Sequence, residues 1–293
     1  MTGVRVGVVI LPEFSWQEAL PRWKSLQDRG FAHGWTYDHL AWRELADGPW
    51  YATVPTLAAA AAATDALRLG TWVASPNFRH PVPFAKDLLT LDDISGGRII
   101  AGVGSGGTGW DAEVFGAGPL TTRTRVERFA EWLRLLDRLL READVTFAGE
   151  YFSAVRARTV PAGCRQRIEM VVAAGGPRSL QLAARFDGWA TYGAPTAEHP
   201  DGWWAALAEL AHRFDELTDH RADRAAIPRY LSLDQPGYSL TDIGTFTDAA
   251  GRAAELGFTD VVVHWPRAAG IYAGDEAVLD RLADRLSDGV FPV

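Results

Sequence analysis

Eight short apolar runs rich in β-branched residues punctuate the chain, and a longer stretch with helical spacing follows each one. The predicted strands cover residues 4–10, 34–37, 67–74, 97–104, 168–174, 187–193, 227–233 and 259–265. The predicted helices cover about 16–29, 51–65, 83–94, 122–143, 177–186, 198–218, 242–256 and 274–287. Such regular alternation implies a parallel sheet with right-handed crossovers, and eight units let that sheet close without leaving an edge. The expectation is a (β/α)8 TIM barrel spanning residues 1–293 as a single domain, with an open, doubly wound sheet as the other arrangement. Two stretches fall outside the repeat. Residues 105–121, SGGTGWDAEVFGAGPLT, form a Gly-rich segment after strand four that suits a mobile cover. Residues 144–167 form a short insertion after helix four, read as a small hairpin around Ala148 and Gly149.

In such a barrel the active site lies at the carboxyl ends of the strands, so the residues just past each run are the candidates for chemistry. Glu13 follows strand one, and Asp38 and His39, within WTYDHLAW, follow strand two. Taken alone, that pair also suits a helix start with Asp38 as the N-cap. Ser75, Asn77, Arg79 and His80 follow strand three, and Ser105 and its glycines follow strand four. Later strands deliver Gly175, Gly176 and Arg178, then Tyr192, then Asp234 and Gln235, then His264, Trp265 and Arg267. The stretch AAGGPRSLQLAARFDGW joins two glycines to Pro177 at a helix start, which suits a phosphate and equally suits a tight strand-to-helix turn.

The remaining composition excludes other classes. A net charge of −8, with 29 basic against 37 acidic residues and no basic stripe, argues against nucleic acid. The Ala-rich stretch from Leu57 to Ala63 is too short to span a membrane, and the opening MTGVRVGVVILPEF reads as a buried strand rather than a signal peptide. A single cysteine, Cys164, excludes an intramolecular disulfide, fits a reducing cytoplasm and is expected to be an inert thiol. No H-x-H or H-E-x-x-H spacing marks a metal site, so no metal is expected. GVGSG contains a serine in a Gly run, with no base fixed beside it by sequence, which argues against a covalent hydrolase. Chemistry on a bound organic cofactor fits best.

Four stretches together, WTYDHLAW, LGTWVASPNFRHPVPFAKDLLTLDDISGGRIIAGVGSGG, the E-x-F-G of WDAEVFG, and AAGGPRSLQLAARFDGW, resemble the luciferase-like monooxygenase superfamily. The resemblance runs in order from strand one to the final helix. It implies a (β/α)8 barrel that binds FMN or the 8-hydroxy-5-deazaflavin coenzyme F-420 (F420), with the ring over the strand ends. By position, it makes His39 the acid or base beside the reactive ring face, and Asp38 a partner of the ring or an orienter of His39. It assigns Trp72 and Val73, joined by a cis peptide bond, to the bulge behind the ring, with Ser75, Gly104 and Ser105 beside them. Ala174, Gly175, Gly176 and Pro177 match its phosphate turn. Trp42 matches an aromatic lining the substrate side, where Glu13, Tyr192 and His264 are also expected. One departure is Gly107, which stands where the sugar-phosphate dehydrogenase branch carries an acid. The compact length favours F420 over FMN, and so predicts hydride exchange with a small organic substrate. FMN-dependent oxygenation and a flavin-binding protein without turnover are the other readings, and a homodimer is expected from the resemblance.

Overall fold

A computed structural model gives the fold and describes residues 3–116, 118–160, 168–193 and 199–287; Cys164 lies outside the described residues. In chain order the elements are β1 (Arg5–Val9), α1 (Trp16–Asp28), β2 (His33–Thr36), α2 (Thr53–Ala63), β3 (Arg68–Thr71), α3 (Pro81–Ser95) and β4 (Ile99–Val103). There follow α4 (Trp110–Glu113), α5 (Thr122–Arg141), β5 (Val145–Ala148), β6 (Ser153–Ala157), β7 (Glu169–Ala173), α6 (Pro177–Ala183) and β8 (Gly188–Thr191). The last are α7 (Pro200–Thr218), β9 (Arg229–Ser232), α8 (Ile243–Glu255), β10 (Asp260–His264) and α9 (Ala277–Ser287). Eight strands close a barrel in the order β1, β2, β3, β4, β7, β8, β9, β10, and β5 with β6 forms the separate hairpin expected as the insertion. Five of the eight barrel strands are buried along their whole length. The spacing did not announce the short α-helix α4, because four residues inside a Gly-rich stretch carry no periodicity.

The chain forms two compact units. The first takes Met1–Leu11, Pro21–Trp35 and Val171–Val293. Here β1 pairs in parallel with both β10 and β2, with Arg5 opposite Asp260 and Gly7 opposite His33. That register gathers polar groups at the strand starts. Arg5 grips Asp260 through two bonds of 2.8 and 2.7 Å, and His33 Nε2 lies 3.0 Å from the same carboxylate. The indole N–H of Trp35 donates to His33 Nδ1 at 2.6 Å, so Nε2 is the nitrogen that donates to Asp260. Burial alone pushes the Asp260 carboxyl up, but the bonds from His33 and Arg5 outweigh it and hold its pKa at about 2. Gly7 is required: a Cβ there would stand 1.7 Å from His33 Nδ1.

The second unit takes Pro12–Leu20 and Thr36–Met170. Helix α3 starts at Pro81, with His80 as its N-cap accepting from Val82 N at 3.3 Å, and stops at Gly96, whose φ of 68° is left-handed. Arg98 then ties the end of α2 to β4 by donating to the carbonyls of Ala61, Thr64 and Leu67. Helix α5 buries Phe129, Trp132, Leu133, Leu135, Leu136 and Leu139 on one face. On the same helix the nearly buried Glu131 accepts the N–H groups of Glu150, Tyr151 and Phe152 at 2.8, 2.8 and 2.6 Å, which fixes the turn between β5 and β6.

Candidate active site

The loop after β2 lies in the second unit and contains no helical turn at Asp38, so the helix-start reading of WTYDHLAW does not hold. The carboxylate of Asp38 turns to Arg79 instead. The guanidinium binds it in a fork, Nη2 to Oδ1 at 2.7 Å and Nε to Oδ2 at 3.1 Å, and Asp38 is only 1% exposed. Burial draws the Arg79 pKa down, but the bond to Asp38 and the charges of Asp38 and Asp87 overcome it and raise it. Arg79 also lies over the rings of Phe78 and Phe84, and its carbonyl takes the Trp132 indole N–H at 2.7 Å.

His39 is therefore held by another residue. Its Nδ1 pairs with Asp111 Oδ2 on α4, and Asp111 Oδ1 accepts the Leu40 N–H at 2.8 Å. The carboxylate bonded to the His39 ring is thus that of Asp111, while Asp38 bonds Arg79. Aromatic rings pack nearby, and the imidazole keeps a side-chain exposure of 31%. Tyr37 meets His39 edge-on at 5.8 Å between centroids and Trp42 at 5.1 Å. Trp50 donates its indole N–H to the His39 carbonyl at 2.8 Å, and Thr53 anchors the Tyr37 carbonyl at 2.7 Å.

The neighbouring strand ends complete this unit. The Trp72–Val73 peptide bond is cis, as the resemblance implies. Ser75 is buried, with its hydroxyl 3.4 Å from Asn77 N. Gly104 N donates to Ala74 O at 2.8 Å, which fastens the ends of β3 and β4 together. Next to Ser105, Gly106 has φ 73°, and a Cβ on it would meet the Asn77 amide at 2.6 Å. Glu13 belongs to this unit and is half-buried.

The other candidates lie in the first unit. Gly175 and Gly176 lead into α6 with Pro177 in its first turn, and the Gly176 N–H is taken by Ser179 Oγ at 3.2 Å, so that turn caps its own helix. The Ala174 carbonyl accepts the Trp189 indole N–H at 3.0 Å. Tyr192 is half-exposed. His264 is buried, its Nδ1 2.7 Å from Asp234 Oδ2, with the Tyr272 ring stacked on it at 3.7 Å. Asp234 Oδ1 also accepts from Ser239 N and Oγ, which joins the loop after β9 to the end of β10.

Sequence reasoning missed Asp111, Tyr37 and Trp50 as neighbours of His39, and it counted Arg79 among the candidates without pairing it to Asp38. Arg79 lay in view within SPNFRHP, and Tyr37 and Trp50 flank the acid and imidazole pair. Asp111 gave no such signal, being 72 positions from His39 in a stretch read as a mobile cover.

A family model described as luciferase-like monooxygenase matches residues 3–234. The chain belongs to the luciferase-like monooxygenase family. The matched residues end before β10, whose pairing with β1 completes the ring. An F420-dependent glucose-6-phosphate dehydrogenase of Intrasporangium calvum is 32% identical over 94% of this chain and 79% of its own length. The match to another curated relative covers only 47% of that protein's length. An F420-dependent secondary alcohol dehydrogenase, solved with an F420-acetone adduct, superposes with a TM-score of 0.79 at 18% identity, covering 97% of this chain and 98% of that one. The oxygenating constituent of 3,6-diketocamphane monooxygenase from Pseudomonas putida, in complex with FMN, superposes at 0.72 with 16% identity, covering 99% of each chain. Among the described residues no group of three or more His, Cys, Asp or Glu side chains is arranged to hold a metal ion, and no helix is long and apolar enough to cross a membrane.

Proposed function

We propose that this chain is an F420-dependent oxidoreductase that moves a hydride between the deazaflavin and the carbinol or carbonyl carbon of a small organic substrate. In this reading His39 exchanges the proton of the substrate oxygen. The observation that carries it is an imidazole just past β2, held at one nitrogen by a carboxylate and met edge-on by the Tyr37 ring, at the position where the family's resemblance puts acid-base chemistry. A cofactor suits the second unit on one further ground: Thr36 Oγ1 is buried without a hydrogen-bond partner close to Asp38 in sequence, and a heterocycle rich in N–H and carbonyl groups would satisfy it. Asp38, Trp72, Val73, Ser75, Gly104 and Ser105 are assigned to the ring, and the turn of Ala174, Gly175, Gly176 and Pro177 to the phosphate, where the glycines let the backbone approach it closely. When bound, a 5-deazaflavin supplies a two-electron hydride carrier that does not form the peroxide by which FMN activates oxygen. Glu13, Trp42, Tyr192 and His264 are assigned to substrate contact.

The relatives' glucose 6-phosphate is one substrate to test, and Gly107, in place of their acid, argues for a simpler alcohol or ketone. A homodimer in a reducing cytoplasm completes this reading. The second reading, FMN with oxygen, rests on the superposition with the FMN-bound monooxygenase. Titrating the purified protein with F420 and with FMN while following fluorescence separates the two: tight quenching by F420 alone is expected, and tight binding of FMN alone overturns the proposal. With F420 bound, His39→Ala is expected to lower single-turnover hydride transfer by about 100-fold or more while changing cofactor affinity less than about threefold. Equal rates in both proteins would remove His39 from the reaction.

A further inference from the structure

The Asp111 carboxylate contacts His39 at Nδ1, and among the described residues Nε2 has no partner. An ionised carboxylate only accepts, so Nδ1 carries the hydrogen and Nε2 presents a lone pair. Left to itself, a neutral histidine side chain keeps its proton mainly on Nε2, so this arrangement is imposed by its neighbour. The imposition is firm. Asp111 is 6% exposed, and its second oxygen is occupied by the Leu40 N–H at 2.8 Å, so the carboxylate is fixed at two points against consecutive residues. Trp50 holds the same backbone from the His39 carbonyl.

We infer that Asp111 is a positioning residue that locks His39 in its Nδ1–H tautomer and makes Nε2 the nitrogen that exchanges a proton with the substrate. This rests on the proposed hydride transfer and adds a direction to it. A resting imidazole with Nε2 bare is set to accept. A bound, oxidised deazaflavin would take the hydride of the carbinol C–H bond, and Nε2 would accept the hydroxyl proton as the C=O bond forms. A carboxylate that orients a catalytic histidine is worth several orders of magnitude where it has been replaced, because the amide leaves the wrong tautomer.

The test is nitrogen NMR of the full chain carrying 15N-labelled histidine, at a pH where the ring is neutral, with the His39 signals assigned by their loss in His39→Ala. The wild type is expected to show Nδ1–H. Asp111→Asn keeps the shape and can still accept from Leu40 N, but turns an amide N–H toward Nδ1; it is expected to reverse the tautomer to Nε2–H, and Asp111→Glu to restore Nδ1–H. Wild-type protein with Nε2–H, or Asp111→Asn with an unchanged tautomer, overturns the inference; if Asp111→Asn does not fold, the wild-type and Asp111→Glu spectra decide. In single-turnover F420 reduction by propan-2-ol and by glucose 6-phosphate, Asp111→Asn is expected to lower the rate at least 100-fold and to add nothing in a His39→Ala background. A correct tautomer with an indifferent His39→Ala would sink the proposed role of His39 and the proton exchange at Nε2 while leaving the tautomer lock standing, whereas the wrong tautomer with an inactive His39→Ala would sink this inference alone.

Discussion

Asp38 and His39 are neighbours in sequence, yet an arginine and an aspartate from distant parts of the chain hold them separately. Arg79, 41 positions on, takes the acid, and Asp111, 72 positions on, takes the base. The two bonds differ in what they protect. The Asp38 carboxylate is buried, so Arg79→Ala would leave a charge without its counterion and is expected to destabilise the fold by about 3 to 5 kcal/mol in urea denaturation. Adding Asp38→Asn should recover part of that loss, since the stranded charge is then gone; no recovery would mean that Arg79 acts by packing against Phe78 and Phe84. The pair itself was legible from WTYDHLAW because two titratable groups just past an apolar run stand out. Its partners were not, since a one-dimensional reading cannot see which loop folds back on which. Glycines also disguised the α4 stretch as a passive cover, although Asp111 within it is nearly buried.

Helices and strands were readable because each buries a face or a full width, and burial writes a period into the chain. What periodicity omits is close approach between elements. Opposite His33 the strand β1 has room for hydrogen alone, so Gly7→Ala must displace the ring that pairs with Asp260; a loss of about 3 kcal/mol is expected by thermal or urea unfolding. The hairpin of β5 and β6 depends likewise on one side chain. Glu131→Ala would strip the acceptor from three backbone N–H groups and is expected to cost about 3 kcal/mol, with faster hydrogen exchange at residues 150–152 as the local readout. Those three bonds outweigh burial and hold the Glu131 carboxyl below its ordinary range, so its contribution is present near neutrality and declines in acid. Unchanged exchange in the variant would show that the turn stands without it.

At the scale of the molecule, the count of eight repeats correctly anticipated a closed ring, since only closure spares eight parallel strands an exposed edge. The ionic cluster at the strand starts left no trace in that count: Arg5, His33 and Asp260 are single polar letters at the edges of apolar runs. Its acid response follows from Asp260. The folded-state pKa, about 2, lies below the ordinary 3.8, so the stabilisation is fully present above 3.8 and is lost as pH falls from there through 2. That amounts to about 2 kcal/mol, and a melting-temperature profile that steepens below 3.8 in the wild type should flatten in Asp260→Asn. Matching profiles would assign acid unfolding to other carboxylates. The cluster stands where β1, β2 and β10 begin, whereas Asp38 and His39 come after β2 has ended. A gene for this chain can thus drift at one set of codons while the other stays constrained. In a random library sorted for expression alone, survivors should be nearly invariant at Arg5, Gly7, His33 and Asp260 and diverse at His39, leaving new substrates open to selection on an old chassis.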